Sequence, residues 1–290
     1  MFRFAYVNGR YLRHAEALLP VEDRATQFAD AVYEVIAVWK GLPVDLTAHL
    51  DRLDTGLKAL SIPQPMSRAA LKVVLRRLLA RNRIGDGVLY LQVSRGVAPR
   101  NHLFPKAVRP SLVATVRPGL GPSPAVVESG VAVIGHADLR WRRRDIKSVS
   151  LLPNVLAKQA AVAAGAFEAF LTEPDGTVTE GSVANAWMVD GAGRLITRPL
   201  GPDILAGTTR RAVADLARAQ GIEVVERPFT LDEAKRAREV FITSTSSFVL
   251  PVVRIDDAVV ANGHPGTLAR DLRRLYIARL DALTPDTAWT

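Results

Sequence analysis

The chain has no cysteine in its 290 residues. That excludes a disulfide framework, a thiolate nucleophile and a cysteine-based zinc site. No uncharged apolar run reaches the ~18 residues that a membrane-spanning helix needs. The opening stretch MFRFAYVNGRYLRHAEALL meets charge or turn residues too often for a signal peptide, so a cytoplasmic location and no membrane partner are expected. The five histidines, at 14, 49, 102, 136 and 264, form no HxxxH or HExxH pair, and no metal is expected. There is also no repeat at a fixed period and no low-complexity tract.

What remains is ordinary globular material, 48% hydrophobic and 23% charged. At ~150 residues per domain the length suggests two domains. The formal net charge of +9 raises the question of nucleic acid, because clustered Lys and Arg are the footprint of phosphate binding. Here the cations are dispersed. LRRLLARNR (75–83) and RRAVADLARAQ (210–220) mix Arg with Leu and Ala at helical spacing and read as solvated helix faces. No nucleic-acid partner is expected.

Turn chemistry and periodicity organise the chain. Residues 2–13 read as a hairpin turning at Asn8-Gly9, and VYEVIAVW, Lys40-Gly41 and LPVDL read as a second. Leu50, Leu53, Leu57 and Leu60 recur at helical spacing, as do Leu71, Val74, Leu75, Leu78 and Leu79. VLYLQVSRG (88–96) and SLVATVR (111–117) return to extended patterns. RPGLGPSP, with its prolines and glycines, is the candidate linker. We therefore expect an α/β (α+β) protein with a small N-terminal domain (1–118), a linker (119–124) and a larger C-terminal domain (125–290). In the second domain VAVIG, FEAFLTE, VANAWMVD, RLITRPL, IEVVERPF and EVFITST read as strands. PNVLAKQAAVAAGA, 208–220, LDEAKRA and 265–282 read as helices.

Three features carry possible chemistry, each with a plainer explanation. Lys147 follows WRRRDI and precedes SVSLL. Most lysines are merely exposed, but one held near other cations and away from water has a lowered pKa and can attack a carbonyl. Glu180, in TVTEGSVAN, ends a strand before small residues. It is either part of an ordinary turn or an acid facing a basic ring nitrogen. Thr208 and Thr209, in ILAGTTRRAV, begin a helix that either needs a cap or binds an anion. TSTSS (243–247) offers a further set of hydroxyls and amides.

In combination these features are far more specific. From DRATQFADAVYEV through HLDRL, DIKS, LLPNVLAKQ, TEGSVAN and AGTTR to FITSTSS, the chain resembles the fold-type IV, pyridoxal-phosphate-dependent class IV aminotransferases. The resemblance implies two α/β domains, the larger C-terminal one a pseudo-barrel, and pyridoxal 5'-phosphate as cofactor. It makes Lys147 the Schiff-base lysine and puts Glu180 on the pyridine nitrogen. Arg52 of HLDRL would meet the phosphate with Thr208, Thr209 and Thr245. Arg140 and Arg142 to Arg144 receive no role. A homodimer is implied, with amino acids and 2-oxo acids as substrates.

Within that family, SRGVAPRNHLFP narrows the reading. On an extended segment Arg100 and His102 would point the same way, two residues apart, and with Tyr33 could trap an α-carboxylate. This pattern is similar to that of D-amino-acid aminotransferases, which implies ping-pong transamination of the D-alanine/2-oxoglutarate type. The alternatives are a branched-chain L-amino-acid aminotransferase, an (R)-selective amine transaminase or an aminodeoxychorismate lyase. Departures from the usual pattern are Val183-Ala184 for a more hydroxyl-rich pair, Thr208 for an aliphatic residue, and Phe248 for an acidic one. They bear on the breadth of side-chain preference.

Overall fold

A computed structural model describes residues 4–290, so positions 2 and 3 of the expected first hairpin lie outside the described residues. The chain forms two compact units. The first comprises residues up to Leu120 with Ile146–Ser150 and Leu283–Thr290; the second comprises Gly121–Asp145 and Leu151–Ala282. The expected division at 119–124 had put all of 125–290 in one domain. Here two segments, Ile146–Ser150 and Leu283–Thr290, group with the first unit instead. Residues 147–149 lie along the strand at Ala31–Tyr33, with Tyr33 N–H donating to the Lys147 carbonyl and Val149 N–H to that of Ala31. At the C-terminus, Trp289 takes the Arg76 guanidinium over its ring, 4.8 Å from the centroid.

The first unit is built on an antiparallel sheet. Its strands are β1 (Phe4–Val7), β2 (Arg10–Arg13), β3 (Ala31–Trp39), β4 (Leu42–Pro43), β5 (Gly87–Ser94) and β6 (Ser111–Pro118), in the order β2-β1-β6-β5-β3-β4. Asn8 and Gly9, then Lys40 and Gly41, take positive φ in the two hairpin turns (44° and 96°; 50° and 80°), the primed geometry that suits strand twist. The expected LPVDL strand stops at Pro43, because Asp45 is left-handed (φ 52°) and a helix starts at Leu46. The helices are α1 (Arg24–Phe28), α2 (Leu46–Ala59), α3 (Arg68–Asn82) and, from the C-terminal segment, α9 (Pro285–Trp289). Leu50, Leu53 and Leu57 of α2 and Leu71, Leu75 and Leu78 of α3 share one core with Ile36, Leu89 and Leu91 of the sheet. Each such burial contributes about 1.5–3 kcal/mol. The helices therefore cover one sheet face, to which alternate residues of β3 point.

The second unit contains α4 (Pro124–Ser129), β7 (Val131–Ala137), α5 (Leu152–Ala163), β8 (Glu168–Thr172), β9 (Val178–Gly181), β10 (Asn185–Val189), β11 (Leu195–Thr197) and α6 (Thr208–Ala219). It continues with β12 (Val224–Glu226), α7 (Leu231–Lys235), β13 (Glu239–Ser244), β14 (Phe248–Ile255), β15 (Ala258–Val259) and α8 (Thr267–Asp281). The sheet runs β12-β11-β10-β13-β14-β7-β8-β9, with β15 on β14. β9 hydrogen-bonds to β8 at one end of this order, yet it also lies against β10 near the other end. The sheet must curl to satisfy both, which gives the expected barrel-like form. Phe170, Ile196, Phe229, Ile242 and Leu250 fill its core. Strand β14 was not expected from the sequence, and IEVVERPF contracts to three residues, Val224–Glu226.

Candidate active site

Lys147 is half-buried, and its Nζ lies 3.3 Å from the Tyr33 hydroxyl and 4.3 Å from the centre of that ring. Tyr33 projects from the face of β3 opposite α2. It stacks on Tyr90 of the neighbouring strand at 5.7 Å. Burial, and secondarily the Tyr33 phenol, push the Tyr90 hydroxyl up to about 12, so it stays neutral. The arginines before Lys147 are not a free cationic cluster. Arg143 pairs with Asp145, Arg144 with Glu173 and Asp138, and Arg140 with Asp138 and Glu180.

Arg52 lies on the α2 side of the same sheet. Its Nε and Nη2 donate to the two oxygens of Glu34 at 2.8 and 2.7 Å, and His49 Nδ1 sits 2.7 Å from the same carboxylate. Glu34 is wholly buried, which alone would raise its pKa; Arg52 and then His49 more than offset that and hold it at about 2. Burial pushes His49 below its ordinary value, with Glu34 opposing. Glu34 and His49 escaped notice in the sequence. The signal that could have found them is strand alternation, which sends the adjacent Tyr33 and Glu34 to opposite faces of β3.

Arg100 and His102 lie in an exposed loop with bends at both positions, not on an extended segment, so strand alternation does not align them. What brings them together is the Phe28 ring, whose centroid lies 4.9 Å from the Arg100 guanidinium and 5.3 Å from the His102 ring. Tyr33 meets Lys147 and Tyr90 rather than this pair. The loop is braced from beneath. Arg24 donates to the Asn101 carbonyl at 2.6 Å, and Arg95 stacks on Phe104 at 3.6 Å. Asp30 pairs with both arginines, at 2.8 and 2.7 Å. Gly96, just before the loop, has φ 112° and admits no Cβ, which would sit 2.1 Å from the Arg109 carbonyl.

In the second unit Glu180 is the penultimate residue of β9, almost fully buried. Arg140 reaches it with Nη1, Asn185 Nδ2 donates at 2.9 Å, and the Leu205 N–H donates at 3.2 Å. Arg140 also grips Asp138 through Nε (2.9 Å) and Nη2 (2.7 Å), and the Thr179 hydroxyl donates to Asp138 at 2.7 Å. The result is an acid–cation–acid chain, Asp138–Arg140–Glu180. Burial pushes the Glu180 carboxyl above the ordinary carboxylate range, and Arg140 only partly restores it. Burial works against Arg140's charge too, but Asp138 and Glu180 outweigh it and hold the guanidinium above its usual value. Sequence reasoning left Arg140 without a role because its partner lies forty residues away.

Thr208 and Thr209 open α6, both buried, behind an N-cap glycine that brings no capping side chain. Gly207 is required here, since a Cβ would lie 2.0 Å from Asn185 Oδ1. Thr245 is half-buried in the turn between β13 and β14. A buried carboxylate with oriented donors and a side-chain-free helix start fit a protonated ring nitrogen and a phosphate respectively, so this donor set suits pyridoxal phosphate.

Comparison with known proteins agrees. Residues 31–255 match the family model "Amino-transferase class IV". The chain belongs to the class IV aminotransferases, and it is a pyridoxal-phosphate-dependent aminotransferase. It is 40% identical over 266 residues to a D-alanine aminotransferase of Bacillus licheniformis, covering 92% of this chain and 93% of that one. It is 37% identical over 277 residues to a D-alanine aminotransferase of Listeria innocua, covering 94% and 95%. Among solved structures, a branched-chain aminotransferase of the thermophilic archaeon Thermoproteus uzoniensis, with norvaline, superposes with a TM-score of 0.87 at 25% identity, covering 99% of this chain and 97% of that one.

Proposed function

We propose that this protein transfers the amino group of a D-amino acid to a 2-oxo acid, with D-alanine and 2-oxoglutarate as the substrate type. The observation that carries this is the 40% identity to a D-alanine aminotransferase over more than nine-tenths of both chains. Likeness to a branched-chain enzyme is the weaker signal at 25%, close to what the shared fold alone gives.

Pyridoxal phosphate, when bound, supplies an aldehyde for an amine and a pyridine ring that takes up charge released at a substrate carbon. Lys147 would supply the amine for that aldehyde and would also act as the base for the substrate α-proton. The hydroxyl of Tyr33, 3.3 Å from Nζ, orients it. Glu180 keeps a proton on the ring nitrogen. Arg140 serves this role by supplying the cation that offsets the burial of the carboxylate. Arg52, Thr208, Thr209 and Thr245 hold the phosphate, with Glu34 fixing the Arg52 guanidinium in a two-point grip. Arg100 and His102, held together on Phe28, would bind the substrate α-carboxylate, with Tyr33 contributing from the Lys147 side and not in contact with that pair within the chain.

A homodimer fits the surface of α5. Its buried positions are the small Ala157 and Ala161, whereas Leu152, Val155, Leu156 and Val162 are 56–67% exposed, so the large apolar residues face outward. No helix among the described residues is long and apolar enough to cross a membrane. A cysteine-free chain suits the reducing cytoplasm. The test is an assay of pyruvate formation from D-alanine and from L-alanine with 2-oxoglutarate. Turnover of the D-isomer alone is expected. Pyruvate from L-alanine and none from D-alanine would favour the branched-chain alternative and overturn the proposal.

A further inference from the structure

The turn between β13 and β14 contains a backbone feature that the family resemblance leaves unexplained. Phe248 has φ 59°, in the left-handed region, where a bulky side chain is an outlier. It is also one of the positions where the sequence departs from the usual family pattern. Such a conformation persists only where its surroundings over-determine it. The surroundings here are specific. Arg273 of α8 donates through Nη1 to the carbonyl of Ser247 and to that of Val249, both at 2.7 Å, so one guanidinium nitrogen straddles the outlying residue. The same guanidinium lies 5.8 Å from the centre of the Phe248 ring, and that ring packs on Tyr276 one turn along α8, at 5.3 Å. At the other end of the turn, Ser247 N–H donates to the Ser244 hydroxyl at 3.0 Å.

Arg273 is half-buried and, among the described residues, has no carboxylate partner. Burial alone lowers its pKa, with no acid to restore it. A cation withdrawn from water without an acid is costly. Two carbonyl oxygens supply part of the compensation.

We propose that Arg273 is a positioning residue for the phosphate grip: by holding the carbonyls on both sides of Phe248 it fixes the 243–247 turn with its hydroxyls and amides set for an anion. This rests on the reading that Thr245 meets the cofactor phosphate. The apoprotein is titrated with pyridoxal phosphate and with pyridoxal, which lacks the phosphate, and binding is followed by intrinsic tryptophan fluorescence. Arg273→Gln is expected to weaken pyridoxal phosphate about tenfold or more while leaving pyridoxal within about twofold, a change too small to signal a lost hydrogen bond. Arg273→Lys, which keeps the charge on a shorter reach, is the second variant and is expected to show a smaller loss for the same ligand only. Equal weakening of both ligands by either variant means a general structural role and overturns the proposal, as does no weakening of either. Thr245→Ala separates the two levels. If it weakens pyridoxal phosphate while Arg273→Gln does not, the phosphate reading stands and the role of Arg273 falls. If neither substitution matters, both fall.

Discussion

Burial pushes the enclosed Glu180 carboxyl toward its neutral form, and at the scale of single residues it is Arg140 that opposes this. Arg140→Met leaves Glu180 and Asp138 buried without their shared cation. Breaking a buried pair from one side typically costs about 3–5 kcal/mol, so urea denaturation should show a loss of that order. Adding Glu180→Gln to Arg140→Met should recover part of it, because the orphaned charge is removed. Losses that simply add would show that the two residues are not coupled. The same scale decides how legible the site was. Lys147, Glu180 and Thr208-Thr209 stand in short local motifs and could be singled out from the sequence. Arg140, Glu34 and His49 could not, because their partners are assembled by strand pairing and helix packing.

Elements add a second layer. In the first unit, β3 delivers Glu34 to the buried side of the sheet, where α2 supplies Arg52 and His49. Both titrating groups have lowered values, so the sign is the same for each. Their stabilisation is complete above the unfolded pKa and is lost as pH falls, below about 6.5 for His49 and from about 4.5 toward 2 for Glu34. Thermal melts at decreasing pH should therefore show falling stability through that range, and Glu34→Gln should flatten its acid limb. An unchanged slope would contradict the network. The loop that carries Arg100 and His102 depends in the same way on Asp30, which pairs with two arginines beneath it. Arg100→Ala should raise the KM for D-alanine and 2-oxoglutarate while leaving cofactor absorbance unchanged; an unaltered KM would place Arg100 outside the substrate site. Two elements resisted sequence reading for separate reasons. Pro251 breaks the strand signature of β14, yet it is tolerated because pairing with β7 begins only at Val252. Arg100 and His102 were paired by strand periodicity, but prolines and bends turn that stretch into a loop.

For the whole molecule, the fold was legible because turn residues and periodicity agreed nearly everywhere. The hairpins at Asn8-Gly9 and Lys40-Gly41 and the leucine spacing of α2 and α3 are local, and local consistency suffices for such elements. The return of residues 146–150 to the first unit is not local: it depends on backbone pairing with Ala31–Tyr33. That pairing fixes Lys147 beside Tyr33. Loss of a general base typically costs ~10²–10⁴-fold in rate, and Lys147→Ala should lose at least that much transamination. The outward-facing leucines and valines of α5 should give a dimer in sedimentation, and Leu156→Glu should shift it toward monomer. The most direct measurement is peptide mass spectrometry of the borohydride-reduced, cofactor-loaded protein. A phosphopyridoxyl group on the peptide bearing Lys147 is the expected result. An adduct on another lysine, or none at all, would contradict the assignment of this amine to the chemistry.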